Sequence, residues 1–156
     1  LWKIEKIRRR PNIFGFFFGK FPRGLMITGC GIDIVDTERF VPWMQQERFI
    51  RRFFHADEAA YIFSLPPRQG AESSAARFAA KEAFGKALGT GLAGFNLSDV
   101  CVCKDEAGKP FLRLYGSAEQ LLKKNGAQCV HLSLAHEKRY AVAQVILEGG
   151  TVEARG

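Results

Sequence analysis

No apolar run in the chain approaches the ~18 residues that a membrane-spanning helix needs, so an integral helical membrane protein is excluded. There is no G-x-x-x-x-G-K-[ST] loop, and no G-x-G-x-x-G stands between a strand and a helix, so neither common phosphate-cradling signature applies. A G-x-S-x-G elbow is missing too, which removes the hydrolase reading that rests on it. The four cysteines, Cys30, Cys101, Cys103 and Cys129, include no C-x-x-C pair, and three fall in apolar, strand-like runs. They read as reduced core thiols of a cytoplasmic protein rather than as disulfides or zinc ligands. No internal repeat is visible.

Acidic residues are nearly missing from one region. Residues 1–25 hold seven of the 23 basic side chains and, of the 16 acidic ones, only Glu5. The rest of the chain is close to neutral although the whole carries +7, so a general nucleic-acid-binding role loses its support. The arm joins Arg8-Arg9-Arg10 to Phe14, Phe16, Phe17 and Phe18, and no small-residue cleavage site follows, so it does not read as a secretory signal. A strand-like run starts directly behind Met26. The native protein is expected to begin there, with 1–25 a non-native or disordered extension and 26–156 one domain with a core of its own. Two competing readings use the arm: a nucleic-acid module built on its charges and aromatics, and a tether to a membrane surface.

Behind the arm, residues 27–35 predict a buried strand. Asp36 or Thr37 is placed to cap a helix reaching Gln46, with Phe40, Val41 and Met44 on its apolar side and Pro42 as a break. Residues 48–54 form a second short segment, and 56–65 a helix that Pro66-Pro67 ends. Residues 69–74 read as a loop, with Ser73 or Ser74 capping the helix after it. Strands at 100–104 and 110–115 flank the turn Asp105-Glu106-Ala107-Gly108, and a helix over 117–125 stops at Gly126. A second hairpin pairs 129–135 with 140–147 around Glu137-Lys138. Hairpin-paired strands with helices grouped elsewhere predict an α+β fold, a small antiparallel or mixed sheet with helices packed on it.

Residues 77–91, RFAAKEAFGKALGTG, are the most informative stretch. Phe78, Ala79, Ala83, Ala87 and Leu88 recur at helical spacing and define a buried stripe. Glu82 and Lys86 are one turn apart, which suits a surface ion pair or a metal ligand beside a phosphate clamp. Asp33 interrupts the apolar run Ile32-Asp33-Ile34-Val35; it is either a turn aspartate or a buried carboxylate that needs a cation partner, an Arg, a Lys or a metal. His136 closes a strand beside a turn, and either a surface or a functional role fits it. Together Asp33, Glu82, Lys86 and His136 suggest a phosphate-handling site.

Two segments then fall into register. Gly29-Cys30-Gly31-Ile32-Asp33-Ile34-Val35-Asp36 resembles the G-x-G-x-D-I-[VT]-[ED] opening of the holo-acyl-carrier-protein synthases, and residues 77–91 resemble that family's F-A-A-K-E-A-[FV]-x-K-A-[LF]-G-T-G helix. Gly108-Lys109-Pro110 and Leu132-Ser133-Leu134-Ala135-His136, followed by Tyr140-Ala141-Val142-Ala143, are similar to later family motifs. The resemblance covers about 26–148, with two minor departures: Gly85 where many relatives have Ser, and Cys30 within the opening motif.

The resemblance implies the 4′-phosphopantetheinyl transferase fold and a Mg²⁺-dependent transfer of the phosphopantetheine arm from coenzyme A to a serine of apo acyl carrier protein. Adenosine 3′,5′-bisphosphate is the by-product, and the product serves fatty acid biosynthesis. It further implies that Asp33 and Glu82 hold the metal and are catalytic together with Lys86, and that Lys81, Lys86 and His136 meet coenzyme A phosphates. Arg39 and Arg52, in a cluster with Arg48 and Arg51, would dock the acidic carrier protein. A cytoplasmic homotrimer with intersubunit sites, binding neither nucleic acid nor, stably, membrane, completes the expectation. No side chain stands out as general base; a carboxylate of the metal site or a metal-bound water is a candidate.

Overall fold

A computed structural model describes residues 25–137 and 139–150; the basic, aromatic arm and the expectations placed on it lie outside them. The fold is α+β. Strand β1 (Leu25–Asp36) pairs antiparallel with β5 (Tyr140–Gly150), and β5 with β4 (Ala127–Glu137), in the order β1-β5-β4. A separate hairpin joins β2 (Val100–Lys104) to β3 (Pro110–Leu114), as the sequence predicts. Strand β1 buries only one face. Gly31, Asp33 and Val35 point inward, while Ile32 and Ile34, expected inside, are 60% and 62% exposed, following the two-residue period of a strand.

The helix expected as far as Gln46 is instead two 3₁₀ turns, Thr37–Phe40 and Pro42–Gln45. Asp36 caps the first, its Oδ1 accepting the Glu38 amide at 3.0 Å, and Pro42, lacking an N–H, restarts the backbone. Phe40 turns inward and packs at a tilt against Trp43 and Phe78, with centroids 4.7 and 5.4 Å away, whereas Val41 is exposed. Helices α1 (Glu47–Phe53) and α2 (Ala56–Phe63) follow. Helix α3 runs Pro67–Leu88, so the loop expected over 69–74 is helical. Pro67 occupies the first turn, where its missing N–H leaves no bond unmade. The Ser74 hydroxyl donates back to the Gly70 carbonyl at 2.8 Å rather than capping a helix start. Helix α4 spans Gly116–Lys124.

Helix α3 is the core. Its expected stripe is buried, and so are Ala71, Ala75, Ala80, Phe84 and Lys81, so it is enclosed nearly all round. Alanines permit this because they let neighbouring backbones approach closely. The G-x-G of β1 has the same purpose: a Cβ at Gly29 or Gly31 would meet the Ala87 or Ala83 carbonyl oxygen at 2.0 or 2.1 Å. A Cβ at Gly85 would meet the Gly91 carbonyl oxygen at 2.0 Å. Gly85 is thus set by the returning loop and is not the minor departure its sequence comparison suggests. Of the cysteines, Cys101 is buried and Cys103 partly so, while Cys30 and Cys129 are exposed on the outer sheet face; all four are free thiols.

Candidate active site

The close approach of α3 to β1 puts three charged side chains together. Asp33 is 7% exposed, and its Oδ1 accepts a hydrogen bond from Lys86 Nζ at 2.7 Å. Lys86 therefore reaches across to the strand instead of pairing with Glu82 along the helix. Glu82 is half-buried, and its carboxyl is held above the ordinary range by burial first and then by the Asp33 carboxylate beside it. The charges of Lys86 and Arg39 oppose that shift without cancelling it. The hydrogen bond to Asp33 in turn raises the Lys86 ammonium.

One atom of this group lacks a partner. Asp33 Oδ2 is buried with no hydrogen-bond donor among the described residues. Two carboxylates side by side with a lone pair unsatisfied need either a shared proton or another cation. Their hard oxygen donors, on a rigid helix and a rigid strand, suit Mg²⁺, which binds through one or two carboxylates and completes its shell with water and substrate phosphates. Lys86 is half-exposed and keeps two of its three donors for an incoming anion.

Lys81 does not belong with these residues. It is fully buried, donating to Glu58 Oε2 at 2.7 Å, to the Leu97 carbonyl at 3.0 Å and to the Val100 carbonyl. All three of its N–H donors are engaged inside the fold, and burial lowers the ammonium's proton affinity against the pull of Glu58. Contrary to expectation, it has no donor left for a coenzyme A phosphate.

His136 is exposed on β4, with β5 between it and Asp33. It lines a groove of 370 Å³ together with Tyr61, Arg77, Lys104 and Pro110. Sequence reasoning missed Arg77, although it opens the informative motif. Its guanidinium lies over the Tyr61 ring at 4.8 Å, and its Nε is buried without a hydrogen-bond partner among the described residues. An arginine within a helix otherwise buried nearly all round was the available signal. Arg39 and Arg52 are both exposed; Arg52 lies over Phe53 at 5.3 Å, and the charge of Arg39 reaches Asp36 and Glu82. Arg51 is partly neutralised by Glu47, to which its Nε donates at 2.7 Å.

Known proteins share this arrangement of sequence and fold. The model of the 4′-phosphopantetheinyl transferase superfamily matches residues 29–145. A holo-[acyl-carrier-protein] synthase of Treponema denticola is 54% identical over 125 residues, covering 80% of this chain and all of that protein. A Bacillus anthracis holo-(acyl-carrier-protein) synthase, solved in complex with CoA (3′,5′-ADP), superposes with a TM-score of 0.68 at 36% identity over 80% of this chain and 99% of that one. A Plasmodium yoelii holo-ACP-synthase gives a TM-score of 0.73 at 29% identity, covering 83% and 100%. The motif matches of β1 and α3 thus extend to the whole described fold, and the chain belongs to the 4′-phosphopantetheinyl transferase superfamily.

Proposed function

We infer that this protein moves the 4′-phosphopantetheine arm of coenzyme A onto a serine of apo acyl carrier protein, giving holo acyl carrier protein and adenosine 3′,5′-bisphosphate for fatty acid biosynthesis. The observation that carries the site assignment is the pairing of Asp33 and Glu82 around the unsatisfied Asp33 Oδ2, with Lys86 at its edge. Asp33 and Glu82 would hold Mg²⁺, which when bound neutralises charge on the pyrophosphate and its leaving group. Lys86 meets the same phosphates as a point charge, its direction fixed by Asp33. A carboxylate of the pair, or a water on the metal, would take the serine proton. Arg39, on the rim beside Glu82, steers the acidic carrier protein, with Arg52 further along the same surface.

His136, Arg77 and Lys104 favour the phosphorylated nucleotide end of coenzyme A, but on the β4 side of α3, whereas the carboxylates lie on the β1 side. A second copy packed on the uncovered face of β1, where Ile27, Ile32 and Ile34 stand exposed, would bring one chain's groove to the other's carboxylates. This supports a homotrimer with sites between subunits. Among the described residues no helix is long and apolar enough to cross a membrane. We place the reaction in the cytoplasm, where the free thiols of the described residues stay reduced, and assign it to one domain over 26–156.

The test is incubation with coenzyme A, Mg²⁺ and apo acyl carrier protein, read by intact mass. One phosphopantetheine is gained with the wild type and none with Asp33→Ala or Glu82→Ala. No gain with any of several carrier proteins overturns the reading. Sedimentation equilibrium of the same preparation is expected to give three copies.

A further inference from the structure

A second cluster of ligand-type side chains lies away from this site, where α2 begins against β2. Cys101 and Cys103 are two apart on β2 and project on the same face, with their sulfurs 3.7 Å from each other. His55, Asp57 and Cys101 each offer a donor atom within 4.8 Å of the others. We propose that Cys101, Cys103, His55 and Asp57 form a binding site for a thiophilic divalent cation of the Zn²⁺ class, separate from the oxygen-donor site at Asp33 and Glu82.

Geometry favours a metal over a disulfide. Residues two apart on a strand have Cα atoms roughly 6.6 Å apart, near the upper limit of ~6.8 Å that a disulfide spans. Two thiolates on a tetrahedral zinc, each about 2.3 Å from it, stand ~3.8 Å from one another. The sulfurs are therefore already spaced for the metal and not for the bond. The His55 ring is held flat on Tyr115, with centroids 4.7 Å apart and planes within 8°. Its Nδ1 accepts the Asp57 amide at 3.2 Å as the cap of α2 and lies 3.4 Å from Asp57 Oδ2, so a metal on Nδ1 takes the place of that cap. Asp57 already belongs to the close set with His55 and Cys101, so Cys103, next to Cys101 on the strand, is the ligand that must turn in to close the shell.

The chemistry separates the two sites. Two sulfurs and an imidazole select zinc-like ions, whereas Asp33 and Glu82 offer only hard oxygen. Burial, with the Glu58 carboxylate next, pushes the Cys101 thiol up to about 12, so without a metal it stays protonated and inert. Arg113 lies close enough to both sulfurs to offset part of their charge as thiolates. A bound ion would tie the first turn of α2 to the β2–β3 hairpin.

Co²⁺ titration of the full chain carrying C30S and C129S, which leaves only the two β2 thiols, tests the proposal. The expected result is one equivalent producing the strong visible absorption of tetrahedral Co²⁺ and a near-ultraviolet thiolate-to-cobalt band, both displaced by Zn²⁺. Losing a supporting partner of a metal ligand already costs roughly 10–100-fold in affinity, so C103A, which removes a ligand, loses at least that much. D57N, at an exposed position, weakens binding less, and D33N/E82Q leaves the bands in place. Circular dichroism of C103A and D57N is expected to match that of the parent chain, which separates a lost ligand from a lost fold. Absence of the bands, or bands of equal strength in C103A, overturns the site.

Discussion

Helix α3 carries two lysine–carboxylate pairs of the same length, Lys81–Glu58 and Lys86–Asp33, each 2.7 Å. They differ in completeness. Glu58 accepts from Lys81, from the His55 amide at 3.0 Å and from the Val102 amide at 2.9 Å, while Lys81 spends its remaining donors on two carbonyls. Both partners are dry and saturated, so the pair locks α2, α3 and β2 together. Asp33 by contrast leaves an oxygen unpaired beside a second carboxylate, and Lys86 is half in water. A saturated pair has nothing to offer a substrate; an unsaturated one does. Distance alone does not separate a structural ion pair from a functional one, whereas the count of unmet hydrogen bonds does.

The largest effect expected from breaking this contrast is on stability. Lys81→Met strands the Glu58 carboxylate in the core, and removing one partner of a buried pair costs ~3–5 kcal/mol. Lys86→Met removes the hydrogen-bond donor of a buried carboxylate, but Asp33 can share a proton with the neighbouring Glu82, so the cost is smaller, about 1–3 kcal/mol. Urea unfolding of the two variants measures both. Equal losses would mean that the two pairs are the same kind of object.

The contrast was only half legible in the sequence. Hairpins announce themselves through turn residues, and the stripe of 78–88 through its spacing, because both are local signals. Asp33 as a buried acid in need of a cation was legible for the same reason: a charge interrupting an apolar strand is costly wherever the strand lies. Which lysine answers it was not, since Lys81 and Lys86 belong to one helix and only the packing of β1 and β2 on opposite flanks assigns them. The extent of α3 was misread because Pro66-Pro67 signals both the end of one helix and the start of the next. Cys101 and Cys103 carried no recognised metal spacing, and their neighbours His55 and Asp57 come from another element.

A middle-sized effect is expected from the unsaturated pair when pH and metal are varied. The Glu82 carboxyl is raised above its ordinary 4.5, so the folded state holds that proton more tightly than the unfolded state. Its contribution to stability is present at low pH and is lost as pH rises above 4.5 through the higher folded value. Thermal melts in EDTA are therefore expected to show Glu82→Gln gaining on wild type between acid and neutral pH. Mg²⁺ should reverse the order at pH 7.5, stabilising the wild type by about 2.7 kcal/mol at a hundredfold excess over its Kd. A Mg²⁺ effect that persists in Asp33→Asn/Glu82→Gln would place the ion elsewhere.

Arg39 gives the smallest effect, and it separates two origins. It is exposed, so reversing its charge is expected to change folding stability by no more than ~0.5 kcal/mol. Its charge nevertheless acts in two ways: on the approach of an acidic carrier protein, and on Glu82, whose ionised form it favours. The first acts over long distances and is screened, with a Debye length of ~30 Å at 0.01 M salt against ~8 Å at 0.15 M. The second acts at close range beside a half-buried carboxylate and is screened much less. Arg39→Glu is expected to lower kcat/KM for the carrier protein at low salt, with most of the loss recovered at physiological salt and kcat little changed. If docking dominates, the loss follows the salt and leaves the pH profile in place. If the coupling to Glu82 dominates, the loss survives salt and the acid limb of kcat moves to higher pH, because removing the cation raises the carboxyl further.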